Sequence, residues 1–146
     1  METRSQAPID WKDYRAQTKQ RYVRQFLAYT HTHAANTVSD YDALEREHLN
    51  LMLAFDQAFQ QADWTAVIRF GRRLCDAVNG YLVVRGYWSE LYQRIAQVLE
   101  AAREKGDKGE TAVFLHNQAI LHHHLGNYQA ARHAYEESPA IVHSQS

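Results

Sequence analysis

The chain has 146 residues, 45% of them apolar and 23% charged, and a formal net charge of −1. A chain of this length buries roughly two-thirds of its unfolded surface and so holds one domain with a core of its own, while the near-zero charge gives no global attraction to nucleic acid or to an anionic membrane. Six glycines and two prolines leave long stretches without a breaker, as helices require.

Apolar and aromatic residues at Trp11, Tyr14, Tyr22, Val23, Phe26, Leu27 and Tyr29 fall at helical spacing and predict a first helix with an aromatic stripe toward the core. Lys19, Arg21 and Arg24 share that helix, either as a solvated face or as the arm of a nucleic-acid-binding regulator. Residues 30–40 lose the periodicity, end in turn-forming residues and read as a connection. A second helix is expected to start after Ser39 or Asp40, carry Leu44, Leu49, Leu51, Met52, Phe55, Ala58 and Phe59, and stop near Gln61. Asp63 caps a third, with Val67, Phe70, Leu74, Val78, Tyr81 and Leu82 on one face and Gly86 at its end. The fourth opens at Tyr87 or Ser89, turns Leu91, Ile95, Val98, Leu99 and Ala102 inward and ends at Gly106. Asp107 caps the fifth, which carries Ala112, Leu115, Ala119, His122 and Leu125. Beyond Gly126-Asn127-Tyr128 a short sixth helix holds Ala131, Ala134 and Tyr135 and is stopped by Pro139.

Connections this short leave neighbouring helices no arrangement but antiparallel packing. The predicted fold is therefore all-α, built of antiparallel helical hairpins. Residues 1–40 form an N-terminal aromatic and basic helix with its connection, and residues 41–146 form one continuous repeat array.

Ala62-Asp63-Trp64, Gly86-Tyr87-Trp88 and Gly126-Asn127-Tyr128 share one grammar: a small residue for the reversal, then an aromatic to fill the wedge between diverging helices. In the last unit Ala119, Gly126, Tyr128, Ala131 and Tyr135 are spaced so that the segment resembles a tetratricopeptide repeat, with Leu115 and His122 where that family usually has Trp and Tyr. Leu44-Glu-Arg-Glu47, Asn50-Leu51, Asp63-Trp64, Arg85-Gly86-Tyr87-Trp88 and Ala101-Ala-Arg103 with Gly106-Asp107 extend the likeness over about two-thirds of the chain. That longer pattern is similar to the helical-repeat sensor region of bacterial NB-ARC-like signal-transduction ATPases. No Gly-x-x-x-x-Gly-Lys-Ser/Thr loop occurs, so nucleotide hydrolysis is not implied, and Pro139 stands where that family usually has leucine. The resemblance implies a short right-handed superhelix of stacked hairpins.

Nine histidines are the compositional oddity. Consecutive helical residues point about 100° apart, so His122, His123 and His124 do not converge on one ion; His116 and His123 share a face, but no His-Glu-x-x-His pattern supports them, and neither metal nor cofactor is expected. Cys75, beside Leu74, reads as a buried thiol, and no serine sits in a Gly-x-Ser-x-Gly turn, so no enzyme is expected. With neither a signal segment nor a run of ~20 apolar residues, the expected compartment is the cytosol.

The resemblance implies binding of a protein or peptide on a concave face, as the sensor or scaffold part of a bacterial signalling protein. The candidates on that face are His116, Asn117, Ile120, His123 and His124 in the fifth helix, and Met52, Asp56, Phe59 and Gln60 in the second. The repeat position of Asn117 implies an amide that binds a peptide backbone. No polar capping helix follows the final hairpin, so its outer face is expected to self-associate or to meet a partner.

Overall fold

The computed structural model describes residues 8–126 and 133–137, and every regular element among them is helical. α1 (Trp11–Thr32) begins at Asp10, whose carboxylate accepts the N–H groups of Lys12 and Asp13 at 3.0 and 3.1 Å. α2 (Val38–Arg46) opens on a reciprocal capping box between Thr37 and Asp40 and passes through Glu47 into α3 (His48–Gln60). α4 (Trp64–Leu74) is capped by Asp63 and followed by α5 (Tyr81–Val84). α6 (Trp88–Lys105) and α7 (Lys108–His124), the latter capped by Asp107, complete the named helices; residues 133–137 are also helical.

Three reversals close in one way. The N–H of Asp63 bonds to Ala58 C=O, that of Tyr87 to Leu82 C=O and that of Asp107 to Ala102 C=O, each at 2.9 Å. In each, the preceding residue bonds three residues back and takes a left-handed backbone: φ is +55° at Ala62, +74° at Gly86 and +71° at Gly106. This is the Schellman closure, which satisfies the last carbonyls of a helix and needs a residue without side-chain hindrance at the turning point. Gly126 has φ +74° and the same bond back to His123 C=O, so the turn grammar extends to a fourth site. Tyr128, Ala131 and Pro139, and with them the turn aromatic and the end of the sixth predicted helix, lie outside the described residues.

Pairs of touching residues fix the helix directions. Tyr22 meets Asn50 of α3 while Tyr29 meets Ala43 of α2, so the continuous α2–α3 segment runs antiparallel to α1; Phe59 meets Trp64 while Phe55 meets Phe70, so α3 runs antiparallel to α4. Lys105 meets Thr65, and Val98 would meet a Cβ on Gly71, so α6 is antiparallel to α4. Tyr92 lies against His122 and Trp88 against His124, which makes α7 antiparallel to α6. α1 and α4 each run antiparallel to the segment between them and touch at His31 and Arg73; from α4 to α7 the numbers rise together, Arg72 meeting Glu110 and Cys75 sharing a slot with Asn117. Those three helices therefore run the same way.

The core is continuous from Val23 and Phe26 of α1 through Phe55, Phe70, Leu74, Leu91 and Val98 to Phe114 and Leu115 of α7. α1 is thus part of the same hydrophobic unit as the helices after it.

Several boundaries differ from expectation. The connection expected over 30–40 shrinks, because α1 runs to Thr32 and Thr37 rather than Ser39 or Asp40 caps the next helix. The second predicted helix is broken at Glu47 (φ −106°, ψ 19°). The third breaks between Leu74 and Tyr81, where Asp76 Oδ1 accepts the N–H groups of Val78 and Asn79 at 2.9 Å and competes with the helical pattern. These breaks turn Leu49 (82% exposed) and Val78 (73%) out to solvent. At the start of α1 the stripe is also outside: Trp11 is 60% exposed and its ring packs edge-on against Tyr14.

A polar clasp holds the two breaks together. Tyr81 and Tyr87 both donate to Glu45, His48 Nδ1 lies 2.9 Å from the Tyr81 oxygen, and His48 stacks on Tyr87. Tyr41 donates to Asn79 C=O at 2.7 Å beside it. Burial, then the bonds to Tyr87 and Glu45, push the Tyr81 hydroxyl pKa well up; at Tyr87 the Glu45 carboxylate is the first cause of the same upward shift.

Candidate functional site

The expected binding residues divide between α3 and α7. Met52, 5% exposed, belongs to the core and is withdrawn from any open face. Asp56 is held by the buried guanidinium of Arg94, which also bonds Glu90 at 3.2 Å and Gln97 at 3.0 Å and lies 5.0 Å above the Phe55 ring. Phe59 packs edge-on against Trp64, and only Gln60 of that group is freely exposed. These four sit on α3.

On α7, His116 is exposed against the ring of Tyr135, His123 is exposed, and His124 lies 5.8 Å from the Trp88 ring. Asn117 is only 7% exposed. It lines a slot with Cys75, Trp88, Ile120 and His124 whose free space, about 10 Å³, is that of a single water molecule. With so little free space beside it, backbone capture at Asn117 requires the slot to widen. Cys75 is fully buried and burial pushes its thiol pKa far up, away from the reactive thiolate. Among the described residues no three His, Cys, Asp or Glu side chains converge as metal ligands, and no helix is long and apolar enough to cross a membrane.

The roomy concavity lies elsewhere. Between α1 and α4 runs an open groove of about 890 Å³, lined by Arg24, Leu27, Ala28 and His31 on one side and by Arg69, Arg72 and Arg73 on the other. A smaller recess of about 190 Å³ adjoins it past Thr30, Arg72 and Arg73, toward Asn36 and Asp76. The same-direction packing of α1 and α4 produces this arrangement, because it sets Arg24 and His31 across from the Arg69–Arg73 turns of α4.

Arg72 is neutralised by Glu110, which takes its Nε at 3.0 Å from both carboxylate oxygens and raises the arginine's pKa further. Arg73 donates to His31 Nδ1 at 2.9 Å, a partner that carries no negative charge. Arg24 and Arg69 have no hydrogen-bond or ion-pair partner among the described residues. In the sequence Arg24 shares a helix surface with Lys19 and Arg21, and nothing sets Arg69 and Arg73 apart. The available signal was the seven-residue step from Arg24 to His31, which repeats one helical face; what it lacked was the facing helix.

No family model matches the chain, and neither a curated protein nor a solved structure does.

Proposed function

We propose that this chain is a non-enzymatic protein-interaction module, a short tetratricopeptide-like stack whose α1, α4 and α7 form the concave layer and whose α3 and α6 form the outer one. The observation that carries this reading is the open groove between α1 and α4: it is large enough for a peptide and mixes apolar floor with charged rim. A sensor or scaffold part of a bacterial signalling protein is the role that fits such a module. His116 and His123, both exposed on α7, extend the same layer beyond the groove.

Panning a displayed random-peptide library on the protein tests the reading. Enriched sequences should lose binding to Ala28→Trp, which fills the groove from an exposed position and leaves the core untouched. A library that yields no enriched sequence contradicts the proposal.

A further inference from the structure

Three arginines facing one concavity without a carboxylate are an electrostatic cost, since like charges disfavour one another and nothing in the groove lining offsets them. A protein that needed only stability would be expected to pair them, as it pairs Arg72 with Glu110, Arg85 with Asp42 and Arg94 with Asp56. The contrast within one chain points to a missing anion rather than to a general excess of positive charge, because the net charge is −1.

The geometry narrows what that anion is. Arg24 and His31 are seven residues apart on α1, about 10 Å along the axis. An extended peptide covers that distance in about three residues. The groove floor is Leu27 and Ala28, aliphatic rather than aromatic, so it offers an apolar side chain a contact but gives nucleobases no stacking platform. Packed helices lie about 8–10 Å apart, which leaves no room for a duplex to enter between them.

We propose that this groove holds an extended acidic segment of a partner protein, its carboxylates paired with Arg24, Arg69 and Arg73 and an apolar side chain set on Leu27 and Ala28. Guanidinium groups suit this task because their fork of donors matches a carboxylate. The inference rests on the interaction-module reading and adds the chemistry of the partner to it.

Fluorescence anisotropy with a labelled decapeptide of alternating glutamate and leucine, beside its glutamine analogue, is the direct test. The glutamate peptide should bind at least about 10-fold more tightly than the glutamine one, and Arg24→Gln, Arg69→Gln and Arg73→Gln should each weaken it about 3- to 10-fold. Arg21→Gln, exposed on α1 but outside the groove, should leave it unchanged. All these arginines are exposed, so the variants should keep their circular dichroism and melting behaviour. Equal affinity for the two peptides, no binding of the glutamate peptide, or arginine variants that bind as wild type would overturn the proposal. So would a single-stranded oligonucleotide that displaces the peptide at lower concentration and depends on the same arginines, since the partner would then be nucleic acid. Non-acidic library peptides blocked by Ala28→Trp would remove the acidic partner while leaving the interaction module in place; an empty library removes both.

Discussion

Ala62 holds a backbone conformation that an alanine resists. At φ +55° its Cβ crowds the neighbouring carbonyl, a strain of about 1–2 kcal/mol for an L-residue. Replacing it with glycine relieves that strain but frees the unfolded chain by about 0.4–1 kcal/mol. The difference predicts that Ala62→Gly stabilises the protein by about 0.5–1 kcal/mol, or about 2–4 °C in Tm for a domain of this size. Gly106→Ala is the mirror experiment: nothing lies within 4 Å of the position its Cβ would take, so only the φ of +71° opposes it. It should lower Tm by a similar amount. Thermal unfolding followed by circular dichroism, with urea melts to confirm an unchanged m-value, measures both. A lower Tm for Ala62→Gly, or a higher one for Gly106→Ala, would refute a shared left-handed closure as the basis of these turns.

Gly80→Ala should be far more damaging, by about 2–4 kcal/mol, because its Cβ would sit 2.5 Å from Asp76 N and 2.6 Å from Asp76 O, backbone atoms that cannot step aside; a urea midpoint measures the loss. At Arg94, truncation to Ala should cost about 2–4 kcal/mol through lost stem packing over Phe55 and two abandoned carboxylates, whereas Met should recover much of that loss. Chemical unfolding of the pair separates packing from charge. Alkaline stability follows from Tyr81, whose folded-state pKa is raised above the unfolded value of about 10. Its contribution is complete below pH ~10 and is lost as pH rises toward the folded value. Stability measured from pH 8 to 11.5 should therefore decline above about 10, and Tyr81→Phe should flatten that decline while costing about 1 kcal/mol at neutral pH.

Helix ends were the most legible part of this chain. Asp63 and Asp107 do cap α4 and α7, and Gly86 and Gly106 do turn the chain, because those signals act within a few residues of themselves. The breaks at Glu47 and between Leu74 and Tyr81 are masked in the sequence, since Leu44 to Phe59 and Val67 to Leu82 keep helical periodicity across them; the local turn at Asp76 and the long-range clasp of Glu45 with Tyr81 and Tyr87 win over that periodicity. Periodicity also says which face of a helix is apolar but not which layer the helix joins. Met52, which its spacing places on a binding face, is therefore core, and Asn117 is buried beside a narrow slot. The groove escaped notice for a related reason: Arg24 and Arg69 are 45 residues apart and meet only because α1 and α4 run in the same direction.

The groove between α1 and α4 is proposed to hold an acidic peptide. Nuclear magnetic resonance titration of the ¹⁵N-labelled chain with the glutamate–leucine decapeptide locates binding residue by residue. Saturable shifts should be confined to Arg24, Leu27, Ala28, His31, Arg69 and Arg73 and their immediate neighbours. Shifts that gather instead on α3 around Gln60, or no saturable shift at all, would contradict it.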